Sequence, residues 1–190
     1  MIKADALILH GKPPRERYEN PDLPKPHEAN WLPWLASELA KRGLATEIPQ
    51  FPRPYEPDYD AYAAVFEQYD VESGVVVAHS AGAEFILHWL SENQGVSLRQ
   101  LLLVAPWTDD KGKYGEFSNY TLDTSLPNRI GRVTIVNSLD DSQAIQDNVA
   151  KLQSALNPTK LIEFDTHGHF MLGNNMPDTT FPELLAEIDA

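Results

Sequence analysis

Short apolar runs with no in–out alternation recur along this chain. Ala6-Leu7-Ile8-Leu9, Val75-Val76-Val77-Ala78, Leu101-Leu102-Leu103-Val104 and Val133-Thr134-Ile135-Val136 are the clearest, and Leu161-Ile162-Glu163-Phe164 is a fifth. A strand that is apolar on both faces has to be covered on both faces, which a parallel sheet clad in helices achieves. Ala45–Pro49 is a weaker additional strand. The stretches between the runs read as helices. One holds Trp31, Leu32, Trp34, Leu35 and Leu39, with Asn30 placed to cap it, Pro33 tolerated in its first turn and Gly43 ending it. Others are expected from about Tyr59 to Tyr69, through Phe85, Ile86, Trp89 and Leu90, over Ile145–Leu156 and over Phe181–Ile188. The expected fold is therefore α/β: a three-layer, doubly wound, six-stranded parallel sheet in the order 2-1-3-4-5-6. Between Pro106 and Arg132, Tyr114, Phe117 and Tyr120 follow no period, and no element is predicted there.

With 190 residues the chain fits one domain, 1–190, with a core large enough to need no staple. The absence of cysteine removes thiolate zinc sites, disulfide scaffolds and cysteine nucleophiles together. A formal net charge of −13 opposes a phosphate-backbone partner, so no nucleic acid is expected. No segment has the ~20 apolar residues of a membrane span, and Asp5 and His10 interrupt any secretory signal. The expectation is a protein of the cytoplasm with no membrane partner.

Chemistry concentrates where the strongest strand meets its helix, at Ala78-His79-Ser80-Ala81-Gly82. In a G-x-S-x-G turn the serine backbone is forced into a strained conformation, so the residues two before and two after it must be small. Gly82 meets that demand, and Ala78 replaces the first glycine with one extra methyl. A serine that only caps a helix would also fit five residues taken alone. Two more features favour a nucleophile. His10-Gly11-Lys12 ends the first strand, where a glycine lets the Lys12 N–H turn toward Ser80. With the Ala81 N–H it makes a two-donor oxyanion hole. Asp140-Asp141 then follows strand five and His169 follows strand six, giving the chain order Ser, Asp, His at C-terminal strand ends. Asp141 is preferred to Asp140 because the apolar residues that start the next helix follow it at the right distance, leaving Asp140 to cap or orient the loop. His169, set between Gly168 and Phe170, is preferred to His167.

A metal set built from His167, His169, Asp165 and Asp141 would leave the serine turn unexplained, so no metal and no cofactor is expected. His79 and His88 read as packing or surface residues. Trp107 and Phe170, just past strand ends, are candidates for the substrate wall.

Together these motifs resemble the α/β-hydrolase superfamily, and within it the small, lidless serine hydrolases related to retinoblastoma-binding protein nine. The similarity extends to Asn30-Trp31-Leu32-Pro33-Trp34-Leu35 and to Leu126–Val133 ahead of strand five. The chain departs from the pattern at Ala78, in lacking a second glycine after Gly11, and in having Ser142 where a proline often follows the aspartate. The resemblance implies a minimal α/β-hydrolase without a large lid and a catalytic set of Ser80, Asp141 and His169. It also implies a small-molecule acyl substrate (ester, thioester or amide). A protein-interaction module on the same fold, with little turnover, is the alternative function.

Overall fold

The computed structural model describes residues 1–109 and 111–189. Six parallel strands form the central sheet: β1 (Ala6–Leu9), β2 (Thr46–Glu47), β3 (Val75–His79), β4 (Leu98–Val104), β5 (Ile130–Ser138) and β6 (Lys160–Phe164). Their spatial order, β2-β1-β3-β4-β5-β6, is the predicted one. The helices are α1 (Arg15–Glu19), α2 (Leu32–Lys41), α3 (Tyr59–Phe66), α4 (Ala81–Glu92), α5 (Gln143–Leu156) and α6 (Pro182–Ala186). Residues of β1 and β3 are fully buried, as strands covered on both faces must be. α2 touches α6, and α3 touches α4. Phe85 of α4 meets both Tyr62 and Phe66 of α3 edge-on.

The order of the sheet matters for function. Its direction of growth reverses between β1 and β3, and in open α/β sheets ligands bind in the crevice beyond such a switch point. Leu9 pairs with Ala78 there, so the segments leaving both strands emerge side by side.

Several boundaries differ from the sequence expectation, each for a local reason. Strand β2 keeps only Thr46 and Glu47, the two residues that reach partners on β1. The third helix stops at Phe66, because Tyr69–Asp70 pairs instead with Ile2–Lys3 as a separate two-residue ladder. Strand β4 starts at Leu98, ahead of its apolar run, and carries a buried Gln100. That amide is satisfied within the fold, donating to Glu187 O and accepting from Asp189 N–H. Asn30 does not cap α2. It lies in the left-handed region with φ 57°, and its side-chain oxygen accepts instead from Leu172 N–H at 3.1 Å.

The aperiodic stretch after β4 is anchored to α4 by polar groups. The Thr108 hydroxyl donates to Glu84, His88 Nδ1 bonds Phe117 O, and Asp123 N–H donates to Ser91 Oγ. The His88 ring is stacked between Tyr59 at 3.7 Å and Tyr120 at 4.4 Å.

Candidate active site

Ser80 occupies the turn between β3 and α4 with φ 55° and ψ −120°, a region that side chains bearing Cβ rarely enter. Such a conformation costs about 1–3 kcal/mol and persists only where the surroundings over-determine it. Here they do. Ser80 N–H donates to Val104 O at 2.9 Å, and Ser80 O accepts from Ala83 N–H and Trp107 N–H. Close packing explains the small residues nearby. A Cβ on Gly82 would lie 2.8 Å from His10 O and 2.9 Å from Leu9 O, both rigid backbone atoms. A Cβ on Gly11 would lie 2.9 Å from the Ser80 Cβ. Ala78, by contrast, is an ordinary buried strand residue, and its methyl fits the core.

Three side chains from three loops converge. His169 Nε2 lies 2.9 Å from Ser80 Oγ, and His169 Nδ1 lies 2.7 Å from Asp141 Oδ2. Asp141 Oδ1 accepts from Ser142 N–H at 2.6 Å, which fixes the carboxylate plane. The Asp141 carboxylate is an acceptor, so His169 carries its proton on Nδ1 and leaves Nε2 free to accept from the serine. The Asp141 side chain is 6% exposed and that of His169 19%. The imidazole therefore borders solvent while its carboxylate partner is shielded.

Asp140 has the other predicted role. Its Oδ1 accepts from the Ser138 hydroxyl and Gly168 N–H, and its Oδ2 from the Asn175 amide. The Ser138 and Asn175 bonds, the largest causes, stabilise the ionised form and hold its pKa down at about 2. Asp140 thus ties the end of β5 to the loop that presents His169.

That loop explains a misplaced residue. Gly168 (φ 52°) and Phe170 (φ 53°) flank His169 in left-handed conformations, so the chain reverses direction at both. The Phe170 ring turns into the core against Phe164 and Phe181 and is fully buried. It stands behind the site and not on the cleft wall where its sequence position suggested. Trp107 lines a neighbouring pocket that shares Lys12 with the one at Ser80, and the Lys12 ammonium lies 5.9 Å from the centre of its ring.

The two expected oxyanion donors, Lys12 N and Ala81 N, have no acceptor among the described residues. His10 sets the orientation of the first. Its Nε2 accepts from Phe51 N–H, which leaves Nδ1 protonated to donate to Gly11 O at 3.0 Å. The peptide is trans, so the Lys12 N–H points away from the carbonyl that His10 holds. Burial keeps His10 neutral, lowering its pKa to about 4.

His79 is the residue that sequence reasoning missed. It is buried, and its Nε2 bonds the carbonyl of His169 at 2.9 Å. Trp31 Nε1–H donates to the next carbonyl, Phe170 O, at 3.1 Å. The only advance signal was the position of His79 immediately before the nucleophile candidate.

A family model described as serine hydrolase matches residues 21–176, most of the chain. The chain belongs to the serine hydrolase family. Solved structures agree in fold. The ydeN gene product of B. subtilis superposes with a TM-score of 0.75 at 21% identity, over 98% of this chain and 96% of its own. An esterase domain from a Rhodothermus marinus protein gives 0.61 at 15% identity, over 91% and 81%. MGS-M1, an α/β hydrolase enzyme from a Medee basin deep-sea metagenome library, gives 0.53 at 18%, over 88% and 70%. No curated protein matches at a significant level. The six-stranded order and these neighbours give this serine hydrolase the α/β-hydrolase fold. No helix among the described residues is long and apolar enough to cross a membrane.

Proposed function

We propose that this serine hydrolase cleaves a carboxylic ester, or a related thioester or amide, of a small molecule through an acyl-serine intermediate. One observation carries the reading: the continuous chain from Ser80 Oγ to His169 Nε2 at 2.9 Å and from His169 Nδ1 to Asp141 at 2.7 Å. It is built on a serine held at φ 55°.

In the mechanism, Ser80 Oγ attacks the substrate carbonyl carbon as His169 Nε2 takes the hydroxyl proton. Asp141 keeps the imidazole in the correct tautomer and stabilises the imidazolium that forms. The carbonyl oxygen gains negative charge and is bound by the Lys12 and Ala81 N–H groups, which have no other acceptor among the described residues. Collapse of the intermediate breaks the bond to the leaving group, which departs with the proton from His169. Water, deprotonated by His169, then attacks the acyl-serine; the acid leaves and Ser80 regains its proton.

Hydrolysis of a panel of para-nitrophenyl esters of increasing acyl length, by wild type and by Ser80→Ala, tests the proposal. Loss of turnover by roughly three to six orders of magnitude in the variant is expected. Equal rates would remove Ser80 from the mechanism. Absence of turnover in the wild type, with no reactive serine, would favour an interaction module on this fold.

A further inference from the structure

The charge lining the cleft is opposite to that of the chain as a whole. The pocket at Ser80 and His169 encloses about 430 Å³ open to solvent, and its titratable lining is His10, Lys12, Arg17, His79 and His169. No carboxylate among the described residues lines it. His10 and His79 are neutral, since burial lowers their pKa values to about 4 and about 3. The neighbouring mouth shares Lys12 and adds Lys111 and Lys113; among the described residues its one lining carboxylate is Asp109, which accepts from Tyr114 N–H at 2.6 Å. Among the described residues the two pockets are lined by four cations and one carboxylate, with Glu56 also close enough to act on Lys113, in a chain with 15 Lys and Arg to 28 Asp and Glu. Asp141, behind His169, is engaged by that imidazole.

Arg17 is the distinctive member. On the same short helix, Arg15 is bonded to Glu19 at 2.8 Å and lies over the Tyr55 ring. Arg17 has no hydrogen bond or ion pair among the described residues, although acids outnumber bases in the chain. A guanidinium presents a planar fork of donors that matches a carboxylate, and it stays charged at any working pH. Arg17 lines the same pocket as Ser80 and His169, so its donors face the space a ligand at the serine would occupy.

We propose that the substrate is anionic: an ester or related acyl compound carrying a carboxylate a few methylenes from the scissile carbonyl, which Arg17 binds with Lys12 assisting. This inference rests on the acyl-hydrolase reading for the chemistry but not for the binding. Long-range repulsion by the net negative chain disfavours anions in general, so the local cations select those that reach the cleft floor.

The test compares two esters of matched length, para-nitrophenyl hexanoate and mono-para-nitrophenyl adipate. Turnover is measured on wild type and binding on Ser80→Ala, where hydrolysis is not needed. A carboxylate preference of about tenfold or more in both kcat/KM and Kd is expected, the scale of one charge-assisted hydrogen-bonded pair. Arg17→Gln should collapse that ratio toward one. Lys41→Gln, which removes a surface cation paired with Glu38, should leave it unchanged. Equal or stronger binding of the neutral ester, or a preference that survives Arg17→Gln, would overturn the proposal. Hydrolysis of both esters without preference would leave the hydrolase reading standing and this one refuted. Selective binding of the adipate ester without turnover would support the ligand class and refute the hydrolase reading.

Discussion

His79 Nε2 donates a hydrogen bond to the carbonyl oxygen of His169 at 2.9 Å, so the turn that carries Ser80 also holds the backbone of its histidine partner. The two loops leave different strands, 89 residues apart in sequence between Ser80 and His169, and this buried bond joins them beside the Ser80–His169 contact. A displacement of ~1 Å at a reacting group is enough to cost roughly a hundredfold in rate. Replacing His79 by Leu is therefore expected to lower kcat by ten- to a hundredfold with KM little changed. His79→Gln, whose amide can reach the same carbonyl, should recover most of the loss. Steady-state kinetics on both variants check this; equal defects in Leu and Gln would assign His79 to packing alone.

The two adjacent aspartates separate by what they hold. Asp141 bonds the imidazole, and its Asn variant places an amide against Nδ1 and favours the wrong tautomer, so kcat should fall about ten-thousandfold. Asp140 bonds Gly168 N–H and the Asn175 amide, contacts that an Asn oxygen partly preserves. Its Asn variant should lose no more than about tenfold. Measuring kcat for both variants decides it, and the reverse ranking would move the carboxylate role to Asp140.

Acid sensitivity should come from buried histidines. In the native state His10 and His79 stay neutral down to about pH 4 and about pH 3, since burial opposes their charging. Unfolded, both gain protons near pH 6.5, so below that pH the unfolded chain binds more protons than the native one. Stability is then full above about pH 6.5 and falls as pH drops toward 4, by on the order of a few kcal/mol in total. Denaturant melts across this range, on wild type and on His79→Leu, measure it. The variant should show the shallower pH dependence, and parallel curves would contradict the assignment.

Much of this architecture is legible in the residue pattern because burial on both faces leaves a continuous apolar signature. β1 and β3 are visible for that reason, and the demand for small residues around a strained serine marks the turn after β3. The stretch after β4 is held instead by polar partners. Glu84, His88 and Ser91, spaced as one helical face of α4, bond Thr108, Phe117 O and Asp123 N–H, and such partners leave no period in the segment they anchor. Phe170 was misread because sequence position does not reveal the two left-handed residues that turn its ring inward. Asn30 resembles a helix cap by type alone, yet its side chain serves Leu172, 142 residues away. The role of His79 emerges only when β3 and the loop after β6 are folded against each other.

Covalent labelling measures directly whether Ser80 is an activated nucleophile. Intact protein treated with a fluorophosphonate probe should carry one adduct, located on Ser80 by mass spectrometry. Labelling should be abolished by Ser80→Ala and by heat denaturation, and slowed by at least about a hundredfold in His169→Ala. A native protein that takes no label at Ser80, or one that labels as fast without His169 as with it, would rule out a nucleophile activated by that histidine.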